Sequence, residues 1–455
     1  MHKLPMLVNT DALKDMLDTK DIYSATKPLY YLSKLLGLAP FTYNNHPDKR
    51  RLEISKIGTL HSWGMCILIS NFLIYLFISN VKKEFPRLVI DIVNISDSYF
   101  SSLTVIVSYA LCASINRSKV IKLLNLLSRV DHCLGNTSRS YRNQCASLLL
   151  GVSVYLVAHG MGYMVVSTFI PSEAKDYHIQ FIYFSIYVVG AVTIMQFVYS
   201  VLLLKDRFEM LNTELITLFE LPDERNLDEK LLNFCQLESS GELGNLKTNN
   251  KEKNLSRSRN DSGVAFKGKK RLDTLRSLRG IHNTLCDAAE LTNSTYQVQV
   301  LMDVIGILVE ITTCLYLSLT YAAQILTCRY TNAPKWNLLW LYLVWVILNL
   351  SKLLAVTISC RSACRKANHT AVLVHKLMVV RPTDCTAEMR IFSQQLLHRK
   401  LCFSACGFFL IDFCLMYNMA SSVTTYLIIL LQYTGQDIGE ARIIELCNTT
   451  SQTTV

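Results

Sequence analysis

Apolar residues in this chain gather into seven long runs, set apart by polar connections rich in Lys and Arg. The runs fall at about 57–80, 92–115, 145–170, 177–204, 298–327, 337–359 and 408–433. A bilayer core about 30 Å thick takes about 20 residues of helix, and every run is long enough to cross it. The pattern predicts an all-α polytopic membrane protein with seven transmembrane helices. The second run is the least apolar, because Ser96, Asp97, Ser98, Ser101 and Ser102 thin its outer half. The last apolar stretch, Leu401–Tyr433, is too long for one straight span, and Gly407 interrupts it. An amphipathic lead-in is expected there, followed by a spanning helix from about Phe408.

The connections give the organisation and the orientation. Residues 1–56 are polar and basic, with an amphipathic helix expected over Pro28–Pro40 that lies on the membrane. Spans one to four occupy 57–204 and spans five and six occupy 298–359. The long connection 205–297 keeps helical periodicity at 204–221 and 272–295. Those parts are expected to extend the fourth and fifth spans around a disordered loop at 238–271. Between Lys247 and Arg271 that loop has nine basic and two acidic residues. A lipid-headgroup or regulatory contact is the other reading of that charge. Residues 360–407 are expected to form anchor helices, 408–433 the last span, and 434–455 a tail. Lys and Arg number 38 on the side of the amino terminus and 7 on the other, or 23 and 7 without 205–297. Positive residues stay inside, so the amino terminus is expected in the cytoplasm and the carboxyl terminus outside.

Composition narrows the class. Apolar residues make up 51% of the 455 residues and charged ones 18%, as a membrane protein requires. The net charge of +11 sits in the connections, so no nucleic-acid partner is expected, and no phosphate loop, dinucleotide motif or repeat appears. No apolar core of signal-peptide type precedes Ile57, which makes the first span the expected targeting signal. The 15 Cys lie mostly within apolar runs. Cys360-x3-Cys364 and Cys402-x3-Cys406 lack a His or second pair, so neither a metal nor a cofactor is expected. No nucleophile–base pair supports an enzyme. Of the sequons, Asn448 falls on the outer side as a glycan acceptor, whereas Asn254 and Asn260 fall inside. Cys328 and Cys447 also fall outside, and a disulfide between them stays open.

Polar residues inside spans are costly in hydrocarbon and turn toward protein or water. The last helix carries Asp412, Asn418, Ser421, Ser422, Thr424, Thr425 and Gln432. Asp412 either helps gating or only packs. Asp303 and Glu310 lie seven apart on the fifth span, hence on roughly one face, and Lys352 on the sixth can pair with one of them. A structural ion pair is the expected role. Ligand-binding candidates sit in the outer halves of the spans: Asp97 and Tyr99, His159 and Tyr163, Tyr183 and Tyr187, Tyr321 and Gln324, then Trp340, Tyr342, Trp345 and Asn349. A sugar needs an aromatic face for its C–H side and polar partners for its hydroxyls. Trp345 and Asn349, one turn apart, offer both. Trp340 and Tyr342 also fit an interfacial aromatic belt, and His159 also fits a packing role.

Thr425-Tyr426, five apolar residues, then Gln432-Tyr433 resembles the carboxyl-terminal signature of insect gustatory receptors, whose usual last residue is Phe. Phe403-Ser-Ala-Cys-Gly-Phe-Phe-Leu-Ile-Asp412 resembles the start of that family's last span, and the Pro28–Pro40 segment resembles its amino-terminal one. The resemblance implies a ligand-gated, non-selective cation channel in the plasma membrane of chemosensory neurons. It implies a homotetramer, or a heteromer with other gustatory receptors, whose last helices line one pore. Thr425, Tyr426, Gln432 and Tyr433 then stand at the pore signature, and Ile428, Ile429 and Leu431 form an apolar constriction that closes by dewetting. A ring of Gln432 amides would replace part of a cation's hydration. The alternative for Thr425 and Gln432 is hydrogen bonding across helices. Tyr30–Pro40 and Phe403–Gly407 look most like the fructose-sensing branch, which makes a sugar or polyol the expected tastant and a bitter plant compound the alternative. A G-protein-coupled receptor needs an outside amino terminus, which the charge count opposes, and a transporter needs two matching halves, which the hydropathy lacks.

Overall fold

The helices are longer than the apolar runs that seed them. The computed structural model describes residues 22–44, 51–81, 88–135, 146–147, 150–158, 160–162, 164, 177–219, 261–327, 334–380 and 385–452. Among these, six helices are long and apolar enough to cross a membrane. In chain order the elements are α1 (Ile22–Leu35), β1 (Phe41–Asn44), β2 (Arg51–Ile54), α2 (Lys56–Val81), α3 (Leu88–Leu111), α4 (Arg117–Leu134) and the shorter apolar α5 (Leu150–Gly162). Then come α6 (Tyr177–Leu218), α7 (Asp261–Thr327), α8 (Pro334–Val380), α9 (Thr386–His398), β3 (Ser404–Ala405), β4 (Phe409–Leu410) and α10 (Phe413–Gln452). The 67 residues of α7 reach about 100 Å at 1.5 Å per residue, three times the hydrocarbon thickness. A π turn at Cys112–Asn116 carries α3 into α4 without a break.

The extra length carries the same core beyond the spans, at the end of the bundle where α1, α4, α9 and the β3–β4 hairpin gather. We call this the basic end. In α6, Val201, Leu204, Phe208, Leu211 and Leu215 recur every three or four residues, and all are buried. That spacing makes one apolar stripe. It shares a core with Leu275 and Leu285 of α7, Leu373 and Leu377 of α8 and Phe392 of α9. Outside the bilayer such burial stabilises by about 1.5–3 kcal/mol per large side chain. Most polar groups within this core are paired, although Arg279 Nε and Glu388 Oε1 meet without hydrogen-bond alignment. Arg207 grips Asp131 through two contacts of 3.1 Å. Asn212 donates to Lys366 O at 2.9 Å and accepts from Thr370 at 2.7 Å. Glu388 meets Arg279 at 2.8 Å and Arg276 at 3.4 Å. His282 lies between the rings of Phe208 and Phe392, 5.6 and 5.7 Å away. Burial pushes its pKa down to about 4, and the Arg399 charge acts in the same direction.

Several boundaries differ from those the sequence predicts. The amphipathic segment over Pro28–Pro40 is not one continuous helix. The helix spans Ile22–Leu35, Gly37 turns the chain with φ at +77°, and residues from Phe41 pair in β1–β2. Its apolar side is taken by protein: Ile22, Ala25 and Leu29 are buried, and Gln196 donates to Ser33 at 2.7 Å. Gly58 lets β2's exit pass Pro40, because a Cβ there would stand 3.0 Å from Pro40 Cα. The basic loop 238–271 becomes helix from Asp261, and residues 220–260 lie outside the described ones.

The lead-in to the last helix also differs. Residues 404–410 form a two-stranded hairpin, turned through Cys406 at φ +51° and Gly407 at φ +77°. Left-handed backbone of that kind cannot continue a helix. The helix therefore starts at Phe413 rather than Phe408. Asp412 caps it, accepting from the backbone N–H of Cys414 at 2.9 Å. Its position is a helix start rather than the interior of a span. Backbone helix then continues past Tyr433, through Asn448, to Gln452.

Candidate ligand cavity and the last helix

Away from the basic end, α3, α6, α7 and α8 enclose a cavity of about 350 Å³. Ser101 and Thr104 of α3, Tyr187 and Gly190 of α6, Asp303, Gly306 and Glu310 of α7 and Lys352 of α8 stand on its wall. The seven-residue spacing of Asp303 and Glu310 brings both to it, as two turns of helix require. Lys352 Nζ lies 3.8 Å from Glu310 Oε2, and Ser101 donates to Glu310 Oε1 at 3.4 Å. Both contacts are long, which leaves these groups donors and acceptors to offer. Tyr187 donates to Asp97 at 2.9 Å. Asp97 Oδ1 and Asp303 Oδ2 are buried with no hydrogen-bond partner among the described residues. In a low-dielectric interior such atoms call for a polar guest.

The sequence candidates scatter around this cavity. Tyr187 lines it, and Asp97 stands behind Tyr187. Trp345 faces Tyr187 with ring centroids 5.6 Å apart. One turn on, Asn349 donates back to Trp345 O at 3.1 Å, and its buried Oδ1 has no partner among the described residues. Tyr321 and Tyr342 stack in parallel at 5.8 Å, one turn of α8 from Trp345. Trp340 points outward and is 61% exposed, as a belt residue would be. Tyr183 packs edge-on against Phe72 instead, and Tyr99 is half-buried. The side chains of His159, Tyr163 and Gln324 lie outside the described residues, as does Cys328. Asp303, Glu310 and Lys352 thus do more than pair: they share the cavity. Their signal was present in the sequence, since charges inside a span mark functional positions by default.

The last helix divides into two faces. Leu415, Met419 and Val423 are buried, and Leu427 and Leu430 continue that stripe onto Tyr316 and Leu317 of α7. The same pair holds Tyr321 and Tyr342. The other face is bare in the single chain: Thr425, Tyr426, Ile428, Ile429, Leu431, Gln432 and Tyr433 are all exposed. Thr425 donates to Ser421 O at 3.0 Å and Thr424 to Ala420 O at 2.9 Å. These hydroxyls bond within their own helix and not across to another.

Seven apolar runs, long helices that meet at one end, and a polar cavity among the spans describe a receptor-like bundle. The profile of the family described as 7tm chemosensory receptor matches residues 26–436. The chain belongs to this family. It is thus a multi-pass membrane chemosensory receptor, and the resemblance carried by Thr425–Tyr433 holds at the level of the family. Among curated receptors it is similar to putative gustatory receptor 28b of Drosophila melanogaster, at 29% identity over 157 residues, 34% of this chain and 33% of that one. It is also similar to the gustatory receptor for sugar taste 43a of the same fly, at 28% identity over 160 residues, 35% of this chain and 36% of that one. The matches span about a third of the length of these relatives. The receptor's fold is that of the insect olfactory receptor OR5 from Machilis hrabei, at a TM-score of 0.56 and 13% identity, covering 90% of this chain and 98% of that one. The same protein solved in complex with eugenol matches at a TM-score of 0.54.

Proposed function

We propose that this receptor is a gustatory receptor acting as a ligand-gated, non-selective cation channel, opened by a sugar such as fructose or a related polyol. The observation that carries the reading is the cavity between α3, α6, α7 and α8. Its wall combines the carboxylates of Asp303 and Glu310, the Lys352 ammonium and the Tyr187 phenol, beside the Trp345 ring. A polyol offers several hydroxyls that both donate and accept, and its C–H face suits an aromatic. A larger, flatter bitter compound would leave Asp303 unsatisfied. The likeness to a sugar-taste receptor agrees with this ligand class.

In this reading the basic end lies in the cytoplasm as the channel's anchor, and the far end faces outside with Asn448 open to glycosylation. The bare face of α10 meets the same helix of three other subunits. Ile428, Ile429 and Leu431 form the closed constriction, and Gln432 meets the permeating cation. The Tyr342–Tyr321 stack against Tyr316 and Leu317, which also hold Leu427 and Leu430, joins cavity to pore helix. A ligand opens the pore only by binding the open form more tightly.

The test is whole-cell current from cells expressing this chain alone, challenged with fructose, other sugars, inositol and bitter compounds. A rapid sugar-evoked cation current that survives G-protein blockade is expected. A current abolished by that blockade, or an amino-terminal tag labelled on intact cells, defeats the channel reading. In the same assay Trp345→Ala should raise the half-maximal sugar concentration several-fold, or about 1 kcal/mol. An unchanged concentration removes Trp345 from the site.

A further inference from the structure

A second cavity, of about 700 Å³, opens toward the basic end beneath α1 and β1. Tyr199 of α6 lines it, about 18 Å along the helix from Tyr187 in the ligand cavity. Its wall is mainly apolar, from Leu29, Leu38, Phe41, Leu123 and Leu203, and among the described residues it includes no acidic one. Among the same residues the one cation on the wall is Arg117. Its Nη1 donates to Thr59 Oγ1 at 3.2 Å, which leaves the rest of its five donors to spend. Lys34 stands beside the wall and donates to the hydroxyl of Tyr30 at 2.9 Å. Arg117 follows the end of the second apolar run by two residues, which sets its guanidinium at headgroup depth, beside the apolar wall. The roof is fastened rather than collapsed. Ser62 donates to Gly37 O at 2.6 Å and Tyr109 to Leu36 O at 2.8 Å, so the space beneath α1 stays open. The π turn at Cys112–Asn116 forms part of the wall, and such turns recur at binding sites.

We propose that this cavity binds one anionic phospholipid of the inner leaflet, with its phosphate on Arg117 and an acyl chain along the apolar wall beneath α1. The proposal rests on the membrane setting and not on the sugar reading. An arginine fork holds a phosphate through two parallel bonds, and the chain restores dispersion contacts that an empty space forgoes.

The test uses the full-length receptor in phosphatidylcholine vesicles with a trace of phosphatidic acid carrying a diazirine on one acyl chain. The control probe is phosphatidylcholine bearing the same diazirine. Irradiation followed by peptide mapping should place the anionic label on peptides covering 26–43 and 116–124, well above the control. Arg117→Gln should lower that labelling about tenfold, and Arg117→Lys should retain part of it. Val120→Trp, which fills the cavity while keeping the charge, should abolish it, with thermal melting and subunit assembly checked for each variant. Equal labelling by both probes, or labelling indifferent to Arg117→Gln and Val120→Trp, overturns the proposal. So does displacement by inorganic phosphate alone, which would make this a small-anion site. Silence toward every sugar with the labelling pattern intact would defeat the tastant reading and leave this one standing.

Discussion

At the basic end, Arg207 and Asp131 meet through two contacts of 3.1 Å, and Asn212 is likewise occupied. In and beside the cavity at the other end, Lys352 and Glu310 stand 3.8 Å apart, while Asp97 and Asp303 each keep a buried oxygen without a partner among the described residues. Both regions bury charge, and burial of charge alone therefore says little about purpose. The difference lies in saturation. A saturated network fixes how helices pack, whereas an unsaturated one holds binding capacity in reserve.

The largest effect should come from breaking a saturated pair. Arg207→Ala leaves Asp131 buried without its partner, which costs about 3–5 kcal/mol, enough to empty the cell surface of receptor. Surface biotinylation and thermal melting would measure this. Replacing both partners, as Arg207→Met with Asp131→Leu, should recover most of the loss and leave sugar potency as it was. If the double variant reaches the surface but no longer responds, the pair is part of gating and the distinction fails.

His282 offers a milder test of the same core. An ordinary histidine titrates near 6.5, and this one is held down to about 4. The folded state therefore favours the neutral ring. Its contribution is complete above about pH 6.5 and is lost as pH falls toward 4, by up to about 3 kcal/mol. Melting of the purified receptor should weaken on going from pH 7.5 to 5.5, and His282→Phe should flatten part of that slope. A slope identical in the variant would mean that other groups carry it.

What could be seen in the sequence follows the same divide. Six of the seven expected spans, all but 145–170, are legible as helices long enough to cross, and α6 and α7 run on past theirs, because hydropathy and three-to-four spacing are local properties. The β3–β4 hairpin is not. Phe403–Asp412 is as apolar as a helix, and only the left-handed pair Cys406–Gly407 forces the turn. Within its apolar run Asp412 reads as an intramembrane charge, and the later helix start makes it a cap. In the cavity, the types of residue were visible and their meeting was not. Asp97, Tyr187 and Lys352 come from three helices, and no spacing along one chain announces that convergence. Trp340 shows the converse, an aromatic chosen for chemistry that stands outside.

The cavity side of the comparison is sharpened by removing one unsaturated group. Lys352→Met keeps the side chain's length and removes the ammonium. Expression should fall, though less than for Arg207→Ala, because Lys352 stands 3.8 Å from Glu310 rather than in a two-contact grip. The half-maximal sugar concentration should rise about tenfold, or 1.4 kcal/mol. Loss of the protein itself, with potency intact in whatever survives, would move Lys352 to the structural class beside Arg207.

The smallest change in binding is expected at Gln432, on the bare face of α10, which belongs to neither class in the single chain. Gln432→Ala should leave sugar potency unchanged, because nothing in the cavity touches it. It should instead alter permeation, since an amide that replaces part of a cation's hydration shell affects sodium and caesium unequally. Reversal potentials in bi-ionic solutions would report a shifted permeability ratio at constant half-maximal concentration. If potency moves and permeation does not, Gln432 acts in coupling, and the pore must be drawn along another face of the helix.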